Sequence, residues 1–467
     1  MTYFNFKKWN TIVGWFAFLI AFITYSSTVE PTVSFWDAGE YILTSAKLQV
    51  GHPPGAPLFQ MFGAFFSMFA FTPSNVGFMI NMMSATASAF TILFMFWTIT
   101  LLLKKLILKK KNVNKQIAIA ILGSGLVGSL AFAFTDSFWF NAVETEVYAM
   151  ATLIMAVLFW LGLRWEQDMD KPRGNRWLIL ISFILGLSFG VHFMGLLTIP
   201  AIGLIYFFKN YKTVTVKNFI IANVVSVAVL LFIFKLLAPN ILSLFSAFEI
   251  FFVNTIGLPF NSGSIIAGLL LVAVIYAGLK YAYKKNYVHL TTGILCITFI
   301  IIGFSSWLLL PIRANANVVI NENNPSSARE LLAYYNLEQY PETHLFYGPL
   351  FTDQYAYLDE KNPYVDDKPK YEKDEKKKEY VIVNDYKNAK QNYNSKQASI
   401  LPRMWSAEHA ENYMMFSGYL DFKLKPDYQM ENELRTVIAN FKNEVAKGNV
   451  DYEDYNNFLK RYKNYID

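Results

Sequence analysis

Polarity along this chain alternates between long apolar runs and short polar loops, and the runs have the length of membrane-crossing helices. The first predicted span is Thr11–Ser26. Leu58–Phe71 is apolar but short, and reads as an interfacial or re-entrant helix. Gly77–Leu103, Ile117–Phe134 and Val147–Leu163 are full spans. Trp177–Phe208 is too long for one span and short for two. Gly186, Gly190 and Gly195 interrupt it, so two short helices meeting near His192 are predicted. Phe219–Leu237, Ile265–Tyr283 and Leu290–Leu310 complete the set. Pro239–Ser264 is read as an amphipathic, aromatic-rich connector carrying Glu249, Asn254 and Asn261.

The loops assign an orientation. Lys and Arg concentrate at the N-terminus and near 104–116, 164–176, 209–217 and 280–289. Placing those loops in the cytoplasm satisfies the positive-inside rule throughout. The opposite face then receives the loop after the first span, the Asp136–Glu146 turn, the His192 region, the Pro239–Ser264 connector and everything after Pro311. Lys7 and Lys8 before an apolar run resemble a signal peptide, but no small-residue cleavage site follows, so the run is read as an uncleaved span. The expected architecture is an all-α polytopic membrane bundle over 1–310 and a mixed, mostly helical extracytoplasmic soluble region over 311–467.

Composition agrees: 54% of residues are hydrophobic, and charge is sparse until about residue 320. The net charge of +6 sits in short blocks between apolar runs, which topology explains and nucleic-acid binding does not. The single cysteine, Cys296, lies in an apolar run, reads as a packing residue and excludes an internal disulfide framework. In the tail, Tyr371–Tyr380 (YEKDEKKKEY) reads as an exposed, mobile loop. Ser327–Tyr335 and Glu431–Val445 read as helices, and Tyr380–Val383 as a strand. The end of the chain shows no core-forming pattern and reads as an unfinished domain.

Candidate chemistry concentrates in Ser34–Pro57, where Asp37, Glu40, Lys47 and His52 lie beside hydrocarbon. Ser34-x-x-Asp37 fits a capping box, and Asp37 and Glu40 share a helix face. Gly51 ends that helix, and His52-Pro53-Pro54-Gly55 turns the chain back toward the membrane. The same pattern fits an interfacial helix whose acids complement its dipole. The chemical alternative is a general base, with Asp37 favoured because Trp36 and the membrane lip would desolvate it. Glu144, Glu146 and His192 fall on the same face, and Asn141-x-x-Glu144 is another plausible cap. Arg313 is placed to meet a lipid phosphate or to snorkel at the interface. No phosphate loop, zinc spacing or nucleophile elbow occurs, so no metal site is assigned and a need for divalent metal is left open.

These residues carry a resemblance. An acidic first external loop followed by a Pro-Pro turn is similar to the GT-C membrane glycosyltransferases, including protein O-mannosyltransferases and the aminoarabinose transferases of lipid A. WDAGEY, GHPPGAPLF, FWFNAVETEVYAM, GLSFGVHFMGLLTIPA, PIRANAN, INENNP, EQY and PRMWSAEHAENY together resemble the bacterial branch of a family long carried as a domain of unknown function. Its animal relatives act as protein O-mannosyltransferases. The mannosyltransferases have adjacent Asp-Glu in that loop, whereas here Ala38 and Gly39 intervene. Bacterial relatives are often longer, with further spans and repeats beyond the tail, so an incomplete form is expected here.

The resemblance implies a GT-C fold and places Asp37 as catalytic base with Glu40 beside it. His52 falls in the Pro-Pro turn of the substrate groove. Topology and motif position add Glu144, Glu146, His192 and Arg313 as substrate-binding residues. The expected activity is inverting transfer of a mannose-like sugar from a polyprenyl-phosphate donor to a Ser or Thr hydroxyl of an exported protein. The site would face outward from a bacterial inner membrane, among membrane lipids. A lipid-linked glycan is the alternative acceptor. A non-enzymatic transporter or scaffold is the competing class, disfavoured because no internal repeat is evident and the acids lie at one face.

Overall fold

The computed structural model describes residues 5–107, 114–340, 344, 346–349, 358–359, 361–395, 398–402, 418, 420–447 and 449–467. The described chain is mostly helical and divides into two compact units, Met1–Gln339 and Tyr340–Asp467.

The first unit opens with α1 (Phe6–Thr28), the short α2 (Ala38–Lys47) and α3 (Pro57–Ser67), then the long α4 (Val76–Ile107). Next come α5 (Lys115–Ala133), α6 (Asp136–Ala142), α7 (Val147–Asp168), α8 (Arg176–Ser188) and α9 (Thr198–Asn210). The last three long helices are α10 (Val216–Thr255), α11 (Ser262–Lys284) and α12 (Val288–Ala314). The short α13 (Ala328–Tyr335) ends the unit. Among the described residues, eight helical stretches are long and apolar enough to cross a membrane, which makes this a multi-pass chain.

Helix α4 packs against α1, α5 and α7, and α8 packs against α12. At the second crossing Gly186 and Gly303 each abut the partner helix's backbone, so neither site has room for a Cβ. The glycine-interrupted stretch forms the expected pair, α8 and α9, joined by a tight 3-10 turn at Phe193–Leu197. Helix α3, at Pro57–Ser67, is shorter than a span, as its sequence requires.

The connector expected at Pro239–Ser264 is instead mostly helix. Helix α10 runs unbroken past Pro239 to Thr255, about 60 Å at 1.5 Å per residue. Wide π turns at Phe232–Leu237 and Phe251–Thr255 make this continuity feasible. In the first, the Ala238 amide bonds back to the Ile233 carbonyl, five residues away, and the backbone accommodates the following proline. Buried Glu249 accepts from the Asn261 and Ser264 amides and the Ser264 hydroxyl at 2.6–2.9 Å, and so caps the start of α11.

Residues 311–339 belong to the helical unit, past the boundary expected at 310. The reason is local pairing. The Val50 amide donates to the Ile320 carbonyl and the Glu322 amide to the Val50 carbonyl. Tyr334 is buried, and its hydroxyl donates to the Gly51 carbonyl.

In the second unit, β1 (Tyr347–Pro349) pairs antiparallel with β6 (Ala398–Ile400), and β2 (Tyr364–Val365) with β5 (Lys390–Gln391). The stretch read as a mobile loop is a hairpin of β3 (Lys370–Asp374) and β4 (Glu379–Asn384). Asp374 makes its turn by accepting from the Lys376 and Lys377 amides, and Lys378 adopts φ +57°. The end of the chain does have a core: Phe422, Ile438 and Ile466 pack with Phe441 and Phe458 between α14 (Asn432–Ala446) and α15 (Tyr452–Tyr462). Most of PRMWSAEHAENY lies outside the described residues.

Candidate functional site

The site is built at the start of α2. The chain turns through Trp36, at φ +61°, into Asp37, which is the N-cap residue of the helix. The expected Ser34–Asp37 capping box does not form, because the helix starts at Ala38 with Asp37 itself as N-cap residue, and Asp37 makes no side-chain cap bond. Its carboxylate addresses His52 instead, with Oδ2 at 3.8 Å from Nε2. Glu40 grips the same histidine from the other side. Its Oε1 accepts from the His52 amide at 2.6 Å, and its Oε2 lies 2.9 Å from Nδ1. A carboxylate on Nδ1 places a proton there and aims Nε2 at Asp37. Gly51 makes the grip feasible, since a Cβ there would sit 2.8 Å from Glu40 Oε1.

The electrostatics follow. The hydrogen bond from His52 holds the Glu40 carboxyl below its ordinary range, against the cost of burial. The same bond pushes His52 up, with Asp37 and Glu322 adding to it. Between their ordinary values of 4.5 and 6.5 the two are therefore an ion pair. The ring of Tyr41 lies 5.7 Å from that of His52.

A second acidic strand of chain meets the first. Glu146 is the N-cap residue of α7, and only 8% of it is exposed. Burial, with the Asp37 and Glu144 charges next, pushes its carboxyl up to about 7. Glu144 is buried too, and burial pushes it up. The desolvation that sequence reasoning gave to Asp37 therefore belongs to Glu146. Within the protein itself the Asp37 side chain is 59% exposed and Trp36 is 88% exposed, so the protein alone does not bury Asp37 as it buries Glu146. Asn141 lies inside α6 and bonds the Ser137 carbonyl, so it is no cap for Glu144.

One buried residue that sequence reasoning passed over joins the two strands. Asn81, in α4, donates to the Glu30 and Thr32 carbonyls at 2.7 and 3.0 Å and accepts from the Thr145 hydroxyl. The signal was a lone amide in an apolar span. His192 stands at the start of the 3-10 turn, its ring 5.3 Å from that of Tyr148. Arg313 does not face lipid alone. Its Nε and Nη2 donate to the Leu48 and Lys47 carbonyls at 2.5 and 3.1 Å, closing the C-terminal end of α2.

Beside these groups lies an apolar cavity of about 390 Å³ between α3, α4, α7 and α8, lined by Leu58, Phe62, Met83, Met150 and Leu187 among others. Met150 is one turn along α7 from Glu146, and Leu58 follows the Pro-Pro turn. Among the described residues, no three His, Cys, Asp or Glu side chains stand together as metal ligands.

Residues 37–215 match the family described as protein O-mannosyl-transferase TMEM260 N-terminal domain, and residues 341–461 match a family of unknown function, DUF8416. The chain is 32% identical over 149 residues to a protein O-mannosyl-transferase tmem260 of Dictyostelium discoideum, covering 31% of this chain and 16% of that protein. It is 25% identical over 165 residues to protein O-mannosyl-transferase TMEM260 of Mus musculus, covering 35% and 21%. The chain thus spans only about a fifth or less of these relatives. No solved structure matches it. Asp37, Glu40, His52, Glu144, Glu146 and His192 all fall inside the matched stretch, whereas Arg313 does not. Residues 37–215 are therefore similar to the N-terminal domain of the protein O-mannosyl-transferases.

Proposed function

We propose that this chain is a GT-C-type glycosyltransferase moving a mannose-like sugar from a polyprenyl-phosphate donor to a Ser or Thr hydroxyl of an exported protein. The observation that carries the reading is a carboxylate–imidazole–carboxylate row, Asp37–His52–Glu40, beside an apolar cavity of about 390 Å³. The row supplies charged chemistry and the cavity supplies room for part of an isoprenoid tail. The names of the matched relatives add the sugar and the protein acceptor.

In the proposed step the acceptor oxygen attacks the anomeric carbon. The bond from that carbon to the phosphate oxygen breaks, and its electron pair leaves with polyprenyl phosphate. The hydroxyl proton passes to Asp37, and the single displacement inverts the anomeric centre. Protonated His52, held by Glu40, is the cation that stabilises the departing phosphate. Arg313 is engaged on backbone carbonyls and serves by fixing the α2 end. Glu146 keeps its proton for much of the time near neutrality, so Asp37 does not face a second full charge. Glu144 shapes the same acidic wall.

The test is sugar transfer by membranes containing the chain. Radiolabelled polyprenyl-phosphate mannose and exported acceptor proteins are offered in one arm, and a nucleotide-activated mannose in the other. The reading predicts label on protein in the first arm only. Label on a lipid-linked glycan would replace the acceptor. Transfer directly from the nucleotide sugar, or from neither donor, would reject the reading.

A further inference from the structure

The two histidines of this site are held in opposite hydrogen-bonding states. His52 has its Nδ1 against a carboxylate. His192 has its Nδ1 beneath a backbone donor: the Met194 amide donates to it at 3.2 Å. A nitrogen that accepts an N–H carries a lone pair, so the proton of the neutral His192 ring sits on Nε2. Burial depresses the basicity of His192, so the ring stays neutral near pH 7. The result is a fixed, uncharged N–H donor. Its Nε2 meets no acceptor among the described residues, yet it is not one of the polar atoms sealed away from solvent.

Its place adds a second argument. His192 follows Leu187, which lines the apolar cavity, and its amide bonds the Ser188 carbonyl at 2.8 Å. The Gly190 carbonyl accepts the Leu58 and Phe59 amides at 2.8 and 3.1 Å, tying this turn to the Pro-Pro turn that carries His52. Gly190 leaves space for that contact, since a Cβ would sit 2.8 Å from the Leu58 Cβ. Tyr148, whose ring lies 5.3 Å from that of His192 and tilted 58° to it, is two residues from both Glu146 and the cavity residue Met150. His192 thus lies in a turn that is joined by backbone bonds to the cavity residue Leu58 and by a ring contact to the start of α7.

We propose that His192 donates through Nε2–H to a head-group oxygen of the lipid-linked donor, and that the Met194 amide is the device that fixes the required tautomer. The inference rests on the lipid-linked donor reading above. A neutral donor suits this half-buried turn, because burial disfavours the charged form of the ring. The division is then a cation, His52, for the charge that develops on leaving, and a neutral donor, His192, for positioning the bound head group.

Two substitutions separate the donor role from the structural one. In His192→Asn the side-chain oxygen still accepts from the Met194 amide, but no donor reaches the Nε2 position. In His192→Gln an amide N–H reaches that position while the cap on Met194 is lost. Binding of polyprenyl phosphate and of polyprenyl-phosphate mannose is measured on the full chain in lipid nanodiscs. The expected result is loss of about tenfold or more in donor affinity for His192→Asn and near-parent affinity for His192→Gln. Loss with both lipids places the contacted oxygen on the phosphate, and loss with the mannosyl lipid alone places it on the sugar. The reverse order, with Asn near parent and Gln weakened, assigns His192 to folding and overturns the proposal. Equal affinity in both variants overturns it as well while leaving the donor reading standing. A parent that binds neither lipid rejects the donor reading and this inference together. Nitrogen-15 NMR of labelled histidine supplies a readout besides binding, with the neutral Nε2–H tautomer expected for His192. The Nδ1–H tautomer or an imidazolium at pH 7 would contradict it.

Discussion

At the end of the helical unit where the basic loops lie, every acid of the α7–α8 turn has a cation. Glu166 pairs with Lys105, Asp168 with Lys171 at 2.7 Å and Arg176 at 3.6 Å, and Asp170 with Lys209 at 2.8 Å. At the opposite ends of α4 and α7, no Lys or Arg among the described residues pairs with Asp37, Glu144 or Glu146. Asp37 and Glu40 share only His52. The first arrangement neutralises acids and holds loops together. The second leaves the buried Glu144 and Glu146 without a Lys or Arg partner among the described residues, and burial pushes both carboxyls up. Among the described residues, the same helices therefore carry one end whose acids are paired with Lys or Arg and one end whose acids are not.

The sharpest way to break this comparison is to remove the acid facing His52. Asp37→Asn should lower transfer by about 10²- to 10⁴-fold with unchanged protein level, the range expected for a lost general base. Activity near the parent would move the base elsewhere. Next, Glu40→Gln should lower transfer by about tenfold through His52, and NMR titration should show the His52 pKa falling. The pair has a defined pH window. Glu40, with its pKa depressed, contributes above its unfolded value of 4.5 and loses that contribution as pH falls through the folded value. His52, with its pKa raised, contributes fully below 6.5 and loses it as pH rises through the folded value. The stability lost in Glu40→Gln should thus be greatest between those two values, as read by thermal unfolding across pH.

Asn81→Leu should destabilise the chain by about 1–3 kcal/mol, because the Thr145 hydroxyl and two carbonyls lose their partner. An unchanged melting temperature would show that the two acidic loops need no clamp. Glu146→Gln should change transfer less than Asp37→Asn, because glutamine imitates the protonated acid. With a folded pKa near 7 against 4.5 unfolded, the folded state binds the extra proton, and its stability falls as pH rises between them. The variant should therefore melt above the parent at pH 8 and close to it near pH 4.5. At the other face, Asp170→Asn should shift stability by under about 1 kcal/mol and leave transfer intact.

Much of this molecule is legible in the sequence because hydrocarbon length and glycine placement dominate it. The break near His192 follows from Gly186, Gly190 and Gly195, and the short α3 from its apolar run. The continuity of α10 was not legible. Proline ordinarily ends a helix, but a π turn precedes Pro239 and removes the conflict. The hairpin at 370–384 was hidden because its turn is made by a charged residue, Asp374, within a lysine run. At the site, the sequence identified Asp37, Glu40 and His52 as neighbours. It could not show that Glu40 is engaged on His52, or that Glu146 is the desolvated acid, since both depend on contacts between segments distant in the chain.

The central claim is that chemistry belongs to the face opposite the basic loops. It is tested most directly by sidedness. Sealed membrane vesicles of either orientation are loaded with labelled polyprenyl-phosphate mannose and given an impermeant acceptor peptide outside. The account predicts label on the peptide only when the Asp37 face is outside. Label only when the Lys105 and Lys209 face is outside would contradict it.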